Sequence, residues 1–502
     1  MVTVEHIASP DTAVYCVLHI VLCPHHTMSS RVQALNVTHV RPDQGTGPPP
    51  HHGSGHAIEL SPFDTLVIAL TPMRRLFFYQ GDHLPPFASL IRSLRSSLAA
   101  TLAVFTPLAG KLAVSSSGDV FIDCSPDAVS QGVRFVEAEY AGGADDMRRL
   151  AGDAEHDAEA FLQLAPELPV SALPAPVLAV QVTRPAGADD SAGGGVLAVG
   201  VSVSHTVADG QALWQFLRAW AAAVREGSPA RPGLTPPTFS REAINRHPRA
   251  EEMARMFVRI FAPALPTVNT FPEPDITRQR RRTYLVGASQ IQSLKRRISL
   301  QSNGARNQPA VVEVKPPTAY AAVAALVWTS FVRAKSFPNH GDDAYLMFAA
   351  DCRARLRPPV GDAFFGNCVK SCYARATVGE LLGGGGDDDG ALARAAAAVR
   401  EAVREYTEEP VADVERWLER HAALPRERVV QIGASHRFPA YETDFGWGAP
   451  SRVELASVFV KEFVALVGAP NGGVQVSVAL DREHMDGFEV NFLSQLQGSV
   501  ST

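Results

Sequence analysis

Val196–Ser204, VLAVGVSVS, is a nearly continuous run of apolar and small side chains of strand length. Such a strand has no polar face to offer to water, which is consistent with burial on both faces. A sheet covered by helices on each side, the α/β class, meets that requirement. The residues that follow fit the same plan. His205 and Asp209 close the run, and Leu213, Phe216, Leu217, Trp220 and Val224 then recur at the spacing of an amphipathic helix over Gly210–Val224. A strand that ends on a histidine and an aspartate just before a helix needs an explanation.

The chain is 502 residues long, which suggests two domains. A hydrophobic fraction of 46% and a charged fraction of 20% fit a globular protein with a large core. The net charge of −6 argues against a nucleic-acid binder and gives no reason to expect an anionic membrane partner. The six cysteines form no C-x-x-C pair, and reduced thiols in a cytoplasmic protein are the simple expectation. Ala13–Cys23 is apolar but shorter than the ~18–20 residues that span a bilayer, and no basic segment precedes it. Residues 1–27 are expected to be an extension outside the fold. Cys23–His26 with His51 and His52 is spaced too irregularly for a metal site, so no metal is expected.

Further along, Ser89–Leu112 has helical periodicity as far as Pro107, and Gly118–Cys124 reads as a strand. Ala141–Asp146 and Ala186–Gly195 read as exposed loops. Pro-rich Gly227–Phe239 and some sixty weakly periodic residues suggest a linker over 227–283. A second domain is expected from Tyr284. It contains a helix N-capped by Thr318, a flexible insert at Gly383–Gly390 before a long Ala/Arg helix, and strands at Leu455–Val460 and Val474–Leu480.

Two H-x-x-x-D patterns occur. His39 and Asp43 lead into a Gly/Pro loop and read as a surface pair. His205 and Asp209 lie at a strand-to-helix junction, where α/β domains open into clefts. The bland reading is a core histidine bonded to Asp209. The functional one is a general base. The chain has no G-x-S-x-G nucleophile elbow, P-loop, G-x-G-x-x-G between strand and helix, or H-E-x-x-H. Without a nucleophile, His205 would act on a hydroxyl or amine of the substrate. Tyr441–Pro450, YETDFGWGAP, reads as a tight Gly-dependent loop anchored by a buried aromatic residue.

His205-Thr-Val-Ala-Asp209-Gly210 and Asp444-Phe-Gly-Trp447-Gly448, in that order and about 240 residues apart, resemble the two signature motifs of the plant BAHD acyl-CoA-dependent acyltransferases. SPFDT (Ser61–Thr65), RLFFY (Arg75–Tyr79), FTPLAGKL (Phe105–Leu112), FFGNC (Phe364–Cys368) and the C-terminal SVALDREHMDGFEVNF are similar to further landmarks of that family. The similarity runs from about Arg31 to Gly498 and is strongest to the branch that acylates anthocyanin, flavonoid and other phenolic glycosides.

The resemblance implies two chloramphenicol-acetyltransferase-like α/β domains with mixed sheets flanked by helices. They would span 28–226 and 284–502, be joined by a long crossover at 227–283, and enclose an active-site channel. Residues 443–462 would cross back to the first domain. It further implies an acyl-CoA co-substrate and no permanently bound cofactor, with malonyl or hydroxycinnamoyl transfer to a glycoside hydroxyl and His205 as catalytic base. Asp209 would turn away and pair with Arg353, and Gly210, Asp444, Gly446 and Gly448 would support the loops. Trp447 would either pack or lend its indole N–H to the oxyanion. Cations are needed for the CoA phosphates, and Arg282, Lys295 and Arg296 are the candidates, although basic runs are usually solvated faces. A cytoplasmic monomer is expected. The alternatives are N-acylation of an amine such as agmatine or a polyamine, and a non-catalytic homologue used for binding.

Overall fold

The computed structural model describes residues 30–43, 56–188, 195–229, 235–304, 316–384, 387–408, 414–458 and 460–497. The expected extension at 1–27 and the Cys23–His26, His51, His52 group lie outside them.

Two six-stranded mixed sheets form the framework. Chain-order labels are β1 Val32–Val40, β2 Met73–Gln80, β3 Val133–Tyr140, β4 Leu178–Pro185, β5 Val196–Val203, β6 Gln279–Val286, β7 Asp343–Asp351, β8 Val369–Thr377, β9 Val429–Ser435, β10 Arg452–Leu455, β11 Phe463–Gly468 and β12 Val474–Asp481. The first sheet runs β1-β3-β4-β5-β2-β10 and the second β6-β12-β11-β9-β7-β8. Parallel neighbours are β3/β4 in the first sheet, and β7/β9 and β9/β11 in the second. A small antiparallel sheet flanks the first.

All eight residues of β5 are buried, which accounts for its unbroken apolar sequence. Along β2, Phe77 and Tyr79 face one core with α1 (Phe87–Val104) and α2 (Gly210–Glu226). Leu76 and Phe78 face the other, beneath the helices Gly143–Gly152 and Ala158–Leu164. The second sheet packs one face on helices that include α3 (Ala319–Lys335) and α4 (Arg482–Gln497). Thr318 caps α3 by accepting a bond from the Ala321 N–H at 3.1 Å. The sheets meet at β10, where Gln475 of the second sheet donates to the Val453 carbonyl at 2.7 Å.

Three local expectations differ from the structure. Ala141–Asp146 is not all loop, since a helix begins at Gly143. Asp145 and Asp146 lie in its first turn, where they favour the dipole and pair with Arg148 and Arg149. The weakly periodic 227–283 contains the helix Ala250–Phe261, anchored by buried Ala250, Met253, Phe257 and Val258, and also the start of β6 at Gln279, ahead of Tyr284. The apolar run Leu455–Val460 is strand only at Leu455. Beyond it the Ser457 hydroxyl takes over from the backbone, accepting the Arg74 N–H at 3.1 Å, so the ladder stops. No helix among the described residues is long and apolar enough to cross a membrane.

Candidate functional site

His205 sits in the turn that leaves β5. The Ser204 N–H donates to the Val177 carbonyl at 2.9 Å, and the Val207 N–H to the Ser204 carbonyl at 3.1 Å. Asp209 then N-caps α2, its carboxylate accepting the Ala212 N–H at 3.0 Å. The turn is short because an aspartate that starts a helix stands four residues after the histidine.

The same carboxylate carries the strongest contact of the turn. Arg353 donates to both Asp209 oxygens, at 2.8 and 3.0 Å, and the Cys368 N–H adds a bond at 3.1 Å. Arg353 follows the end of β7 and also donates to the Gly366 carbonyl at 3.1 Å. Both members of the pair are 1% exposed. Bidentate geometry and saturation of the carboxylate are what make a buried ion pair tolerable. Asp209 is thus committed to its helix and to the second half of the chain.

A second buried network holds the His205 backbone. Asn367 Nδ2 donates to the His205 carbonyl at 2.8 Å, to the Thr206 carbonyl at 3.2 Å and to Asp64 at 3.0 Å. Asp64 closes a capping box with Ser61 and accepts from Arg241 Nε at 3.2 Å. Arg241 in turn donates to the Phe239 and Phe365 carbonyls at 2.8 and 2.9 Å. Asp64, Arg241 and Asn367 have no expected role in the sequence reading. Their signal was the presence of Asp64 and Asn367 within SPFDT and FFGNC. Gly210 has a steric reason, because a Cβ there would lie 2.8 Å from the Phe438 ring.

Burial is the largest influence on the His205 imidazole and lowers its pKa below the ordinary histidine value. A backbone hydrogen bond at His205, the Asp209 charge and the Asn367 side chain oppose burial without cancelling it. The residue as a whole keeps partial exposure, although its Nδ1 is sealed from solvent. An imidazole that stays neutral near pH 7 can accept a proton.

The second motif forms a tight loop. Asp444 Oδ1 accepts the Gly446 and Gly448 N–H groups at 2.7 and 2.9 Å, and both glycines adopt positive φ, 91° and 90°. Arg225, at the C-terminal end of α2, donates to the Asp444 carbonyl. Trp447 is 5% exposed and packs edge-on against Tyr79, with ring centroids 5.8 Å apart.

This position removes one of the two roles expected for Trp447. Tyr79 is paired with Leu197 at the start of β5, whereas Met73 is paired with Val203 beside the His205 turn. Those six residues of strand span about 20 Å. Helix α2 agrees, since Arg225 lies fifteen residues, about 22 Å, beyond Gly210. The two motifs occupy opposite ends of α2, so the indole N–H does not reach an oxyanion at His205. Trp447→Phe is expected to leave kcat within about threefold of wild type, and Trp447→Ala to cost about 3–5 kcal/mol in urea unfolding. A Trp447→Phe loss of about 100-fold, the size of a lost oxyanion donor, would contradict this.

The candidate CoA cations are not gathered at His205. Arg282, on edge strand β6, pairs with Glu489 at 2.9 Å and lies 3.9 Å from Glu155. Lys295 and Arg296 are on the helix Ala288–Gly304, and among the described residues no hydrogen bond or ion pair connects either to the His205 networks.

The Transferase family matches residues 46–494. The chain is 29% identical to phenolic glucoside malonyltransferase 1 of Bemisia tabaci, over 94% of this chain and 98% of that protein. It is 30% identical to the malonyl-CoA:anthocyanidin 5-O-glucoside-6''-O-malonyltransferase of Arabidopsis thaliana, over 92% of this chain and 97% of that one. The crystal structure of vinorine synthase superposes with a TM-score of 0.65 at 18% identity, covering 92% of this chain and 98% of that chain.

Proposed function

The chain belongs to the BAHD family of acyl-CoA-dependent acyltransferases, and on that premise we propose that it moves a malonyl or hydroxycinnamoyl group from CoA to a hydroxyl of a phenolic, flavonoid or anthocyanin glycoside, with His205 as the base. The reading rests above all on one observation. A histidine whose imidazole has a pKa lowered by burial stands on a turn held by Asp209–Arg353 and Asn367, groups drawn from both halves of the chain.

In this reading the acyl-CoA and the acceptor meet in a channel between two domains, one containing β10 and the other beginning near Gln279. His205 takes the acceptor hydroxyl proton as the oxygen attacks the thioester carbonyl. The tetrahedral intermediate collapses, the carbon–sulfur bond breaks, and the departing thiolate recovers the proton from the imidazolium. The ester and free CoA are the products, and no covalent enzyme intermediate is required. Positioning of two bound substrates and general base catalysis supply the acceleration. Asp209, Gly210, Arg353, Asp444, Gly446, Trp447 and Gly448 support the two loops and do not touch substrate. The protein acts as a cytoplasmic monomer with no membrane or nucleic-acid partner.

The test is CoA release from malonyl-, acetyl- or coumaroyl-CoA, each paired with a panel of phenolic and flavonoid glucosides. Release that requires both a glucoside and His205 is the expected result. Release only with agmatine or a polyamine would replace the acceptor, and no release with any pair would overturn the enzymatic reading.

A further inference from the structure

RLFFY begins with Arg75, and neither loop network uses that residue. Arg75 lies on β2, the last strand but one of the first sheet, between Val201 of β5 and Leu455 of the edge strand β10, and is 3% exposed. Its Nε is sealed from solvent with no hydrogen-bond partner, and its guanidinium makes no hydrogen bond or ion pair among the described residues. Its close polar contact is the face of Trp214, 5.6 Å away.

Three other buried arginines have a carboxylate partner: Arg353 faces Asp209, Arg241 faces Asp64 and Arg452 faces Glu454. Among the described residues buried Arg281 has none, but it donates to the Ala456 carbonyl at 2.8 Å, whereas Arg75 has no such bond. Glu454 is the one carboxylate that acts on Arg75 at a distance, but it is paired with Leu76, on the opposite face of the sheet, and is bonded to Arg452, Thr283 and Ser477. Burial lowers the Arg75 pKa to about 10, with the Glu454 charge opposing it. An arginine still carries its charge at neutral pH at that value, so the fold keeps a buried cation without a counter-ion. Such a charge is costly unless an anion arrives to meet it.

Its position identifies the anion. Trp214 is four residues beyond Gly210 on α2, and its ring lies 6.2 Å from that of Phe438, the residue that closes over Gly210 from the second half of the chain. Arg75 is therefore on the face of the sheet that carries the first turns of α2, two residue pairs, about 7 Å, along the strand from Met73 and Val203. The several charged phosphates of CoA must stay in reach of water and do not fit beside a side chain this deep. A carboxylate is smaller, carries a single charge, and is the anion that a planar guanidinium binds two-pronged.

We propose that Arg75 is the specificity-determining residue that receives the free carboxylate of a dicarboxylic acyl donor, and so selects malonyl-CoA over acetyl- or hydroxycinnamoyl-CoA. This rests on the acyl-CoA reading of the site above. The carboxylate compensates the buried cation, the neutral acyl groups do not, and the preference follows.

The experiment measures kcat/KM for malonyl-CoA and for acetyl-CoA with one common glucoside, in the wild type, Arg75→Met and Arg75→Lys. Partial misfolding lowers both donors alike, so their ratio is the readout. Wild type is expected to favour malonyl-CoA. Arg75→Met is expected to reduce that ratio about 100-fold, the scale of truncating one member of a buried charge pair, and Arg75→Lys to reduce it less. An unchanged ratio in Arg75→Met overturns the proposal. So does a wild type that transfers acetyl or coumaroyl but not malonyl, an outcome that leaves the acyltransferase reading standing. A ratio that changes only with glucosides that themselves bear a carboxylate would assign Arg75 to the acceptor and also overturns it. Absence of CoA release with every donor would instead sink the acyltransferase reading.

Discussion

His205→Ala is expected to lower turnover about 10²–10⁴-fold, the usual contribution of a positioned general base. The unfolding midpoint should stay close to that of the wild type. The turn is held through the His205 carbonyl and through Asp209, and neither depends on the imidazole. The pH profile supplies a second readout. A base acts in its neutral form, and burial lowers the pKa of this one. kcat/KM should therefore rise with pH along a limb whose midpoint lies below the ordinary histidine value of about 6.5, and be level across neutral pH. Stopped-flow or steady-state CoA release at several pH values gives both results. A midpoint above that value, or an alanine variant that keeps most of its turnover, would remove His205 from the base role.

The second large effect concerns Asp209 and Arg353. Asp209→Asn is expected to destabilise the protein by about 3–5 kcal/mol, because it leaves a 1%-exposed guanidinium with only the more exposed Asp351, 3.0 Å away, as a charge partner. Arg353→Met strands the carboxylate instead and should cost a similar amount. The two changes together should cost less than their sum, since the double variant buries no lone charge. Urea unfolding of the four proteins closes the cycle. Activity should fall with stability, because the pair positions the His205 turn and does not touch the reacting atoms. An Asp209→Asn variant that lost turnover at unchanged stability would mean that the carboxylate acts in the reaction itself.

Arg353 was legible in the sequence only through the family resemblance, and the same holds for the support given by Asp444, Gly446 and Gly448. Spacing alone left His205 open between a base and a satisfied core histidine. The networks that decide the geometry of the turn join residues about 140 to 300 positions apart in the chain, a range at which composition and periodicity carry no information. Trp447 illustrates the limit. Its motif is as recognisable as the histidine motif, and its burial followed from two glycines flanking an aromatic residue. Its distance from His205 required knowing that α2 lies between the two loops. The helix at Gly143 was hidden by Gly and Asp signals that usually mark loops, whereas the helix over Ala250–Phe261 contains no Gly, Asp or Pro and was masked by the proline-rich segments on either side of it.

What the sequence by itself determined is local. A strand apolar throughout must be covered on both faces, an aspartate four residues after the histidine starts a helix, and glycines at 446 and 448 permit a tight loop. These follow because backbone dihedrals, capping bonds and the period of burial are set within a few neighbouring residues. Tertiary structure decided which distant charge meets which. It paired Arg353 with Asp209, tied Asn367 to the His205 carbonyl, put the two motifs at opposite ends of one helix, and left Arg75 buried without a counter-ion. Those outcomes depend on how two sheets pack around β10, and electrostatic partnership acts over a few ångströms of space whatever the separation along the chain.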